Sequence, residues 1–167
     1  MFRFSPFFGL LQVCGLVLPA LGFSGSVTRD STWTTDMTIT GNVTVRDGAT
    51  LTINPHLTIT FAGDYTLATE SWPTSGNSLV ADNCLFTATQ HTPGFWEGIL
   101  VNNGDSLRLQ GCEICYANQG VAGSSTFAGS MTVTGCHVHD NHTGIYLNGG
   151  LALPGPKPNL DVFGYML

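Results

Sequence analysis

Between Met37 and Phe61 apolar and polar positions alternate. Met37, Ile39, Val43, Val45, Leu51, Ile53, Leu57, Ile59 and Phe61 are separated mainly by Thr, Asn and Arg. Successive side chains of an extended chain point to opposite faces, so this period predicts strands with one buried face. Further along, the alternation becomes a repeat. SLRLQGCEICYANQGV (106–121) aligns without a gap over SMTVTGCHVHDNHTGI (130–145), a period of 24 residues. It pairs Leu107 with Met131, Leu109 with Val133, Gly111 with Gly135, Cys112 with Cys136, Ile114 with Val138 and Gly120 with Gly144. A weaker copy, DNCLFTAT, puts Cys84 and Phe86 in the same roles, and GFWEGIL supplies the Gly98-Ile99 step after a longer turn. Short strands that recur in one register, broken by Gly and Asn turns, predict coils that bury their apolar faces against one another. A β-sandwich also uses short alternating strands, but it leaves the fixed register unexplained.

Composition narrows the setting. Only 10% of the 167 residues are charged and 43% are hydrophobic, with Thr, Ser, Gly and Asn where Lys and Glu usually stand. That favours strands with hydroxyl-bearing outer faces over helices. The net charge of −6 and the lack of a Lys/Arg cluster exclude a nucleic-acid partner of the usual basic kind. Residues 1–22 combine Arg3, an apolar run to Leu21 and small residues at Ala20 and Gly22, the pattern of a secretory signal peptide. The alternatives are an uncleaved anchor, or a lipid anchor at Cys14, which Val13 disfavours. The expected organisation is a leader (1–22), a lead-in or cap (23–35), the coils (36–149) and an irregular tail (150–167). Pro154, Pro156 and Pro158 interrupt any strand in that tail, which suggests truncation. The expected location is secreted or cell surface, with no membrane span after the leader.

The phrase VRDGATLTINPHLTITF and the G-C-x-I…G-I rungs resemble the right-handed parallel β-helix repeat family, the pectate-lyase-like solenoid scaffold, over residues 36–148. The resemblance implies an all-β, right-handed parallel β-helix of about five coils. His56 stands where that pattern has glycine. The scaffold carries lyases, hydrolases, epimerases and adhesins, so it implies a fold more strongly than an activity.

Candidate chemistry is sparse. Alternation puts Cys112 and Ile114 inward and Glu113 and Cys115 outward, so C-x-x-C is not expected to act as one motif. Cys84, Cys112 and Cys136 form an interior ladder, as packed free thiols or with one disulfide. Outside, the register sets His137 over Glu113 and His139 over Cys115. Those four are the candidate metal ligands, although no bound metal or cofactor is expected, and they are also candidate binding residues with Trp96. Trp72, Trp96 and Tyr116 are the aromatic candidates for sugar stacking, the competing role of Trp96 being corner packing. A lyase would need a base, with Arg108 the candidate, Glu113 nearby, and Ca²⁺ only in that case. A hydrolase would draw two carboxylates from Asp82, Glu97, Asp105, Glu113 and Asp140. Asn42 and Asn141 lie in glycosylation patterns, though Asn141 also suits a turn cap. With so few charged groups, the favoured role is non-catalytic: glycan-binding, adhesive or structural, with polysaccharide or cell-surface glycan as partner. The alternative is a fragment of a polysaccharide lyase or glycoside hydrolase.

Overall fold

The computed structural model describes residues 22–70, 72–124, 129–147 and 160–163, which hold strands and no helix. The leader lies almost entirely outside the described residues. The lead-in contains β1 (Gly22–Val27) and β2 (Ser31–Trp33), followed by the long β3 (Met37–Val45) and by β4 (Thr50–Ile53). Three further coils follow as triplets: β5 (Thr58–Phe61), β6 (Thr66–Thr69), β7 (Ser78–Asp82); β8 (Leu85–Ala88), β9 (Trp96–Val101), β10 (Ser106–Gln110); and β11 (Glu113–Cys115), β12 (Ala117–Gly123), β13 (Ser130–Thr134). The last set is β14 (His137–His139), β15 (Thr143–Leu147) and β16 (Leu160–Phe163).

Every pairing is parallel, and each strand pairs with its counterpart one coil away, giving a parallel β-solenoid of about five turns. One face stacks β5, β8, β11 and β14; a second stacks β6, β9, β12 and β15; a third stacks β2, β4, β7, β10, β13 and β16. β3 serves the first two faces, Met37–Ile39 pairing with β5 and Val43–Val45 with β6. β16 falls in the segment expected to be irregular, yet it pairs with β13 from Met131↔Leu160 to Thr134↔Phe163. Residues 150–159 and 164–167 of that segment lie outside the described residues.

The alternation becomes columns inside the coil. Leu51, Leu79, Leu107 and Met131 lie in register, as do Val43, Leu67, Ile99, Val121 and Ile145. All but Ile145 are buried. At about 1.5–3 kcal/mol per fully buried aliphatic side chain, these columns hold the coils together.

The corners repeat as well. The residues just before the Cys rungs, Asn83, Gly111 and Gly135, have φ of 52°, 62° and 61°. His56 takes the same left-handed slot at φ 66°, so the turn forms with histidine where the other coils have asparagine or glycine. Glycine suits this conformation because it has no Cβ, and asparagine tolerates it.

The same stacking aligns Cys84, Cys112 and Cys136 inside, all buried and all free thiols. The Cys112 N–H lies 3.4 Å from the Cys136 sulfur. The hydrogen bond between these two sulfurs, with burial adding to it, holds the Cys112 thiol protonated well above its ordinary range. The same contact, with the Cys112 N–H donating to its sulfur, lowers the Cys136 thiol from its ordinary value.

Candidate functional site

β11 and β14 lie side by side on the first face, pairing Glu113 with His137, Ile114 with Val138 and Cys115 with His139. His137 and His139 are two residues apart on one strand and project to the same side. Their rings stack with centroids 4.2 Å apart. Glu113, beside His137, reaches diagonally to His139, with Oε1 3.0 Å from Nε2. On the ring's other side, Asp140 Oδ2 lies 2.9 Å from Nδ1. His139 is thus held between two carboxylates. Partial burial lowers its pKa, but Asp140 and Glu113 together outweigh burial and raise it above the ordinary histidine value. Ligand atoms of Glu113, His137 and His139 all lie within 4.8 Å of one another.

Cys115 does not join this group. The register places it beside His139 as expected, but the residue is only 3% exposed, so the outer-side thiol is covered and not available as a ligand. Its sulfur leans toward the preceding coil, 3.5 Å from Thr87 Oγ1 and 3.6 Å from the Phe86 carbonyl oxygen. Burial pushes its thiol up, with the Glu113 and Asp140 carboxylates adding to the effect against the Thr87 hydrogen bond. The corner that follows Cys115 is closed by a loop. Where β11 passes into β12 through Tyr116 alone, the preceding coil inserts residues 89–95 between β8 and β9. That loop packs onto the corner: the His91 ring stacks on Tyr116 at 4.7 Å, and Gly94 and Phe95 N–H groups donate to the carbonyls of Ala117 and Tyr116.

Trp96 also falls away as a binding residue. It is fully buried, stacks on Phe61 at 3.8 Å and donates its indole N–H to the Cys115 carbonyl at 2.9 Å, so no sugar can reach its face. Trp72, which follows β6, is instead 81% exposed. Sequence put Trp96 among the binding residues and Trp72 only among the aromatic candidates, the reverse of their exposure.

The enzymatic candidates are occupied or apart. Arg108 Nη2 sits 3.0 Å from Asp82 and 3.1 Å from Gln110 Oε1. Asp105 is buried at the third corner, accepting hydrogen bonds from Gly76 and Asn77. Glu97 contacts Asn118 at 3.4 Å. Only Glu113 and Asp140 of the five carboxylates share a partner, His139. Asn141 acts as the turn cap: its Oδ1 accepts from Ala117 N at 2.7 Å and its Nδ2 donates to Ile114 O at 3.0 Å.

No helix among the described residues is long and apolar enough to cross a membrane. No family model, curated protein or solved structure matches this chain. The class defined by the coordinates is therefore the parallel β-solenoid, and further assignment rests on the site chemistry.

Proposed function

We propose that the chain is a secreted or cell-surface β-helix that binds extracellular glycan along its side, in an adhesive or structural role rather than a catalytic one. The observation that carries the reading is Trp72, an indole 81% exposed beside coils whose outer positions are rich in threonine. A large aromatic surface left in water is a common means of contacting the apolar face of a sugar ring. Columns such as Thr38, Thr60 and Thr87 offer repeated hydroxyls at the strand spacing of about 4.8 Å. The coil is taken to be right-handed because parallel β crossovers almost always are, and secretion follows from the leader pattern at residues 1–22. The pectate-lyase-like resemblance supports the carbohydrate class of partner.

A lyase or hydrolase fragment is the weaker reading, because Arg108 is engaged by Asp82 and Gln110. Affinity electrophoresis against neutral and acidic polysaccharides, with and without Ca²⁺, tests both readings. Retardation by at least one polysaccharide, relieved by Trp72→Ala without product release, is the expected result. Failure to bind any polysaccharide would sink the glycan reading, and product formation abolished by Arg108→Ala would replace it with the enzyme.

A further inference from the structure

We propose that Glu113, His137 and His139 bind one Zn²⁺ ion, with Asp140 positioning His139 from behind. Two imidazoles and a carboxylate form a borderline nitrogen and oxygen donor set, which suits zinc and related transition ions better than Ca²⁺ or Mg²⁺. The scaffold supplies the placement. His137 and His139 share one side of β14, and Glu113 stands in the adjacent rung of β11.

The ligand atoms already lie within 4.8 Å of one another. A tetrahedral ion with bonds of about 2.0–2.2 Å requires separations of about 3.3 Å. Glu113 and His137 are exposed and can close that gap by side-chain rotation, without moving either strand.

The contact that distinguishes this group from an ordinary polar patch is on the far side of His139. Asp140 Oδ2 lies 2.9 Å from Nδ1, so a proton on Nδ1 is held there and Nε2 faces Glu113 Oε1 at 3.0 Å. A carboxylate behind an imidazole fixes its tautomer and orientation and makes the free nitrogen a better metal donor. The ion would take the place of the proton between Nε2 and Oε1, and that proton would pass to solvent. Three protein ligands leave a fourth position for water or for a donor from a partner.

The site is confined to the last coils. In the column containing Glu113 and His137, the earlier coils carry Thr58 and Leu85. Beside it the earlier coils carry Thr60 and Thr87, and the Cys115 thiol turns toward Thr87. The inference does not depend on glycan binding.

The test is titration of the metal-free chain with Zn²⁺ by calorimetry and native mass measurement, together with the visible spectrum of the Co²⁺ form. One ion per chain is expected. Binding should be lost in His139→Ala and in His137→Ala, and retained when His56, His91 and His142 are replaced by Ala. Asp140→Asn should weaken affinity by about 10-fold or more while keeping the stoichiometry. Circular dichroism of each variant separates ligand loss from unfolding, and because both histidines are on the surface, either variant can decide. The Co²⁺ spectrum should lack the thiolate charge-transfer band, since Cys115 is not a ligand. Absence of stoichiometric binding, binding that survives both histidine variants, or a thiolate band would each overturn the proposal.

Discussion

Asp105 provides the sharpest test of how the third corner is built. It is 1% exposed, and its Oδ1 accepts three hydrogen bonds at 3.0 Å, from Gly76 N, Asn77 N and Asn77 Nδ2. Its other oxygen is buried without a partner. One coil earlier Asn77 does the same job, its Oδ1 accepting from Gly48 N at 2.9 Å. The slot therefore needs an acceptor that reaches down to the preceding glycine, and the amide of asparagine meets that need without a charge. Asp105→Ala leaves the buried Asn77 N–H unpaired, at about 1–3 kcal/mol, while the N–H of the exposed Gly76 can turn to water. Asn77 Nδ2 also loses a partner, and relief of a poorly solvated carboxylate offsets part of the cost, so a net loss of about 2 kcal/mol is expected. Asp105→Asn keeps the acceptor and removes the charge, and should stay within about 1 kcal/mol of the parent. Urea unfolding followed by circular dichroism, with the slope checked for constancy, gives both values. If asparagine destabilises as much as alanine, the charge is essential and the proposed equivalence with Asn77 is wrong. An alanine loss below about 1 kcal/mol would show that the corner does not rely on this side chain.

Three further outcomes are expected. Gly98→Ala should disrupt the β9–β12 pairing, because a Cβ there would lie 1.7 Å from the Gln119 carbonyl oxygen at φ +130°; a loss of more than about 3 kcal/mol, or failure to fold, is expected by denaturant titration. Burial raises the Cys84 thiol above its ordinary value, against hydrogen bonds from the backbone. Its protonated form is therefore favoured in the folded chain, and its contribution is fully present below the unfolded thiol pKa of about 8.5 and lost as pH rises toward the folded value. Stability measured between pH 8 and 10.5 should fall less steeply in Cys84→Ala, by up to about 1.4 kcal/mol per pH unit; an unchanged slope would refute the assignment. Finally, in a Cys14→Ser background, Cys84, Cys112, Cys115 and Cys136 should resist a thiol reagent until urea unfolds the chain. One rapidly reacting thiol that disappears in Cys115→Ala would show that residue to be exposed after all.

The coil and its register were legible because a solenoid writes the same constraint at each turn. Leu107 over Met131 and Cys112 over Cys136 can be paired by eye, and the strands pair Leu107↔Met131 within a run that keeps the same 24-residue offset. The neighbourhood of Glu113, His137 and His139 followed from that register. Burial at the corners did not. Alternation assigns Cys115 to the outer side, but it does not show that the sulfur is buried against Thr87 and the Phe86 carbonyl, nor that the 89–95 loop closes on the neighbouring Tyr116. The same loop leads into Trp96, whose ring turns inward onto Phe61. A two-residue period describes a strand and carries no information about what an insertion one coil away will cover.

The roles of the polar residues separate according to whether they continue a column or interrupt one. Asp105 continues one: it performs for Gly76 what Asn77 performs for Gly48, so its burial is explained by folding alone. Arg108 stands between Val80 and Thr132 in its column, but Asp82 on the neighbouring rung and Gln110 on its own strand occupy its charge. Glu113, His137 and His139 interrupt columns that carry Thr58 and Thr60 in an earlier coil, and neither the ladder nor the core requires an imidazole at those exposed or half-exposed positions. Threonine would serve the strand at least as well, being among the residues favoured in sheets. An interruption that fold stability does not require, and that sets three side chains able to ligate a metal together with a carboxylate behind one of them, is where chemistry on this scaffold should be sought first.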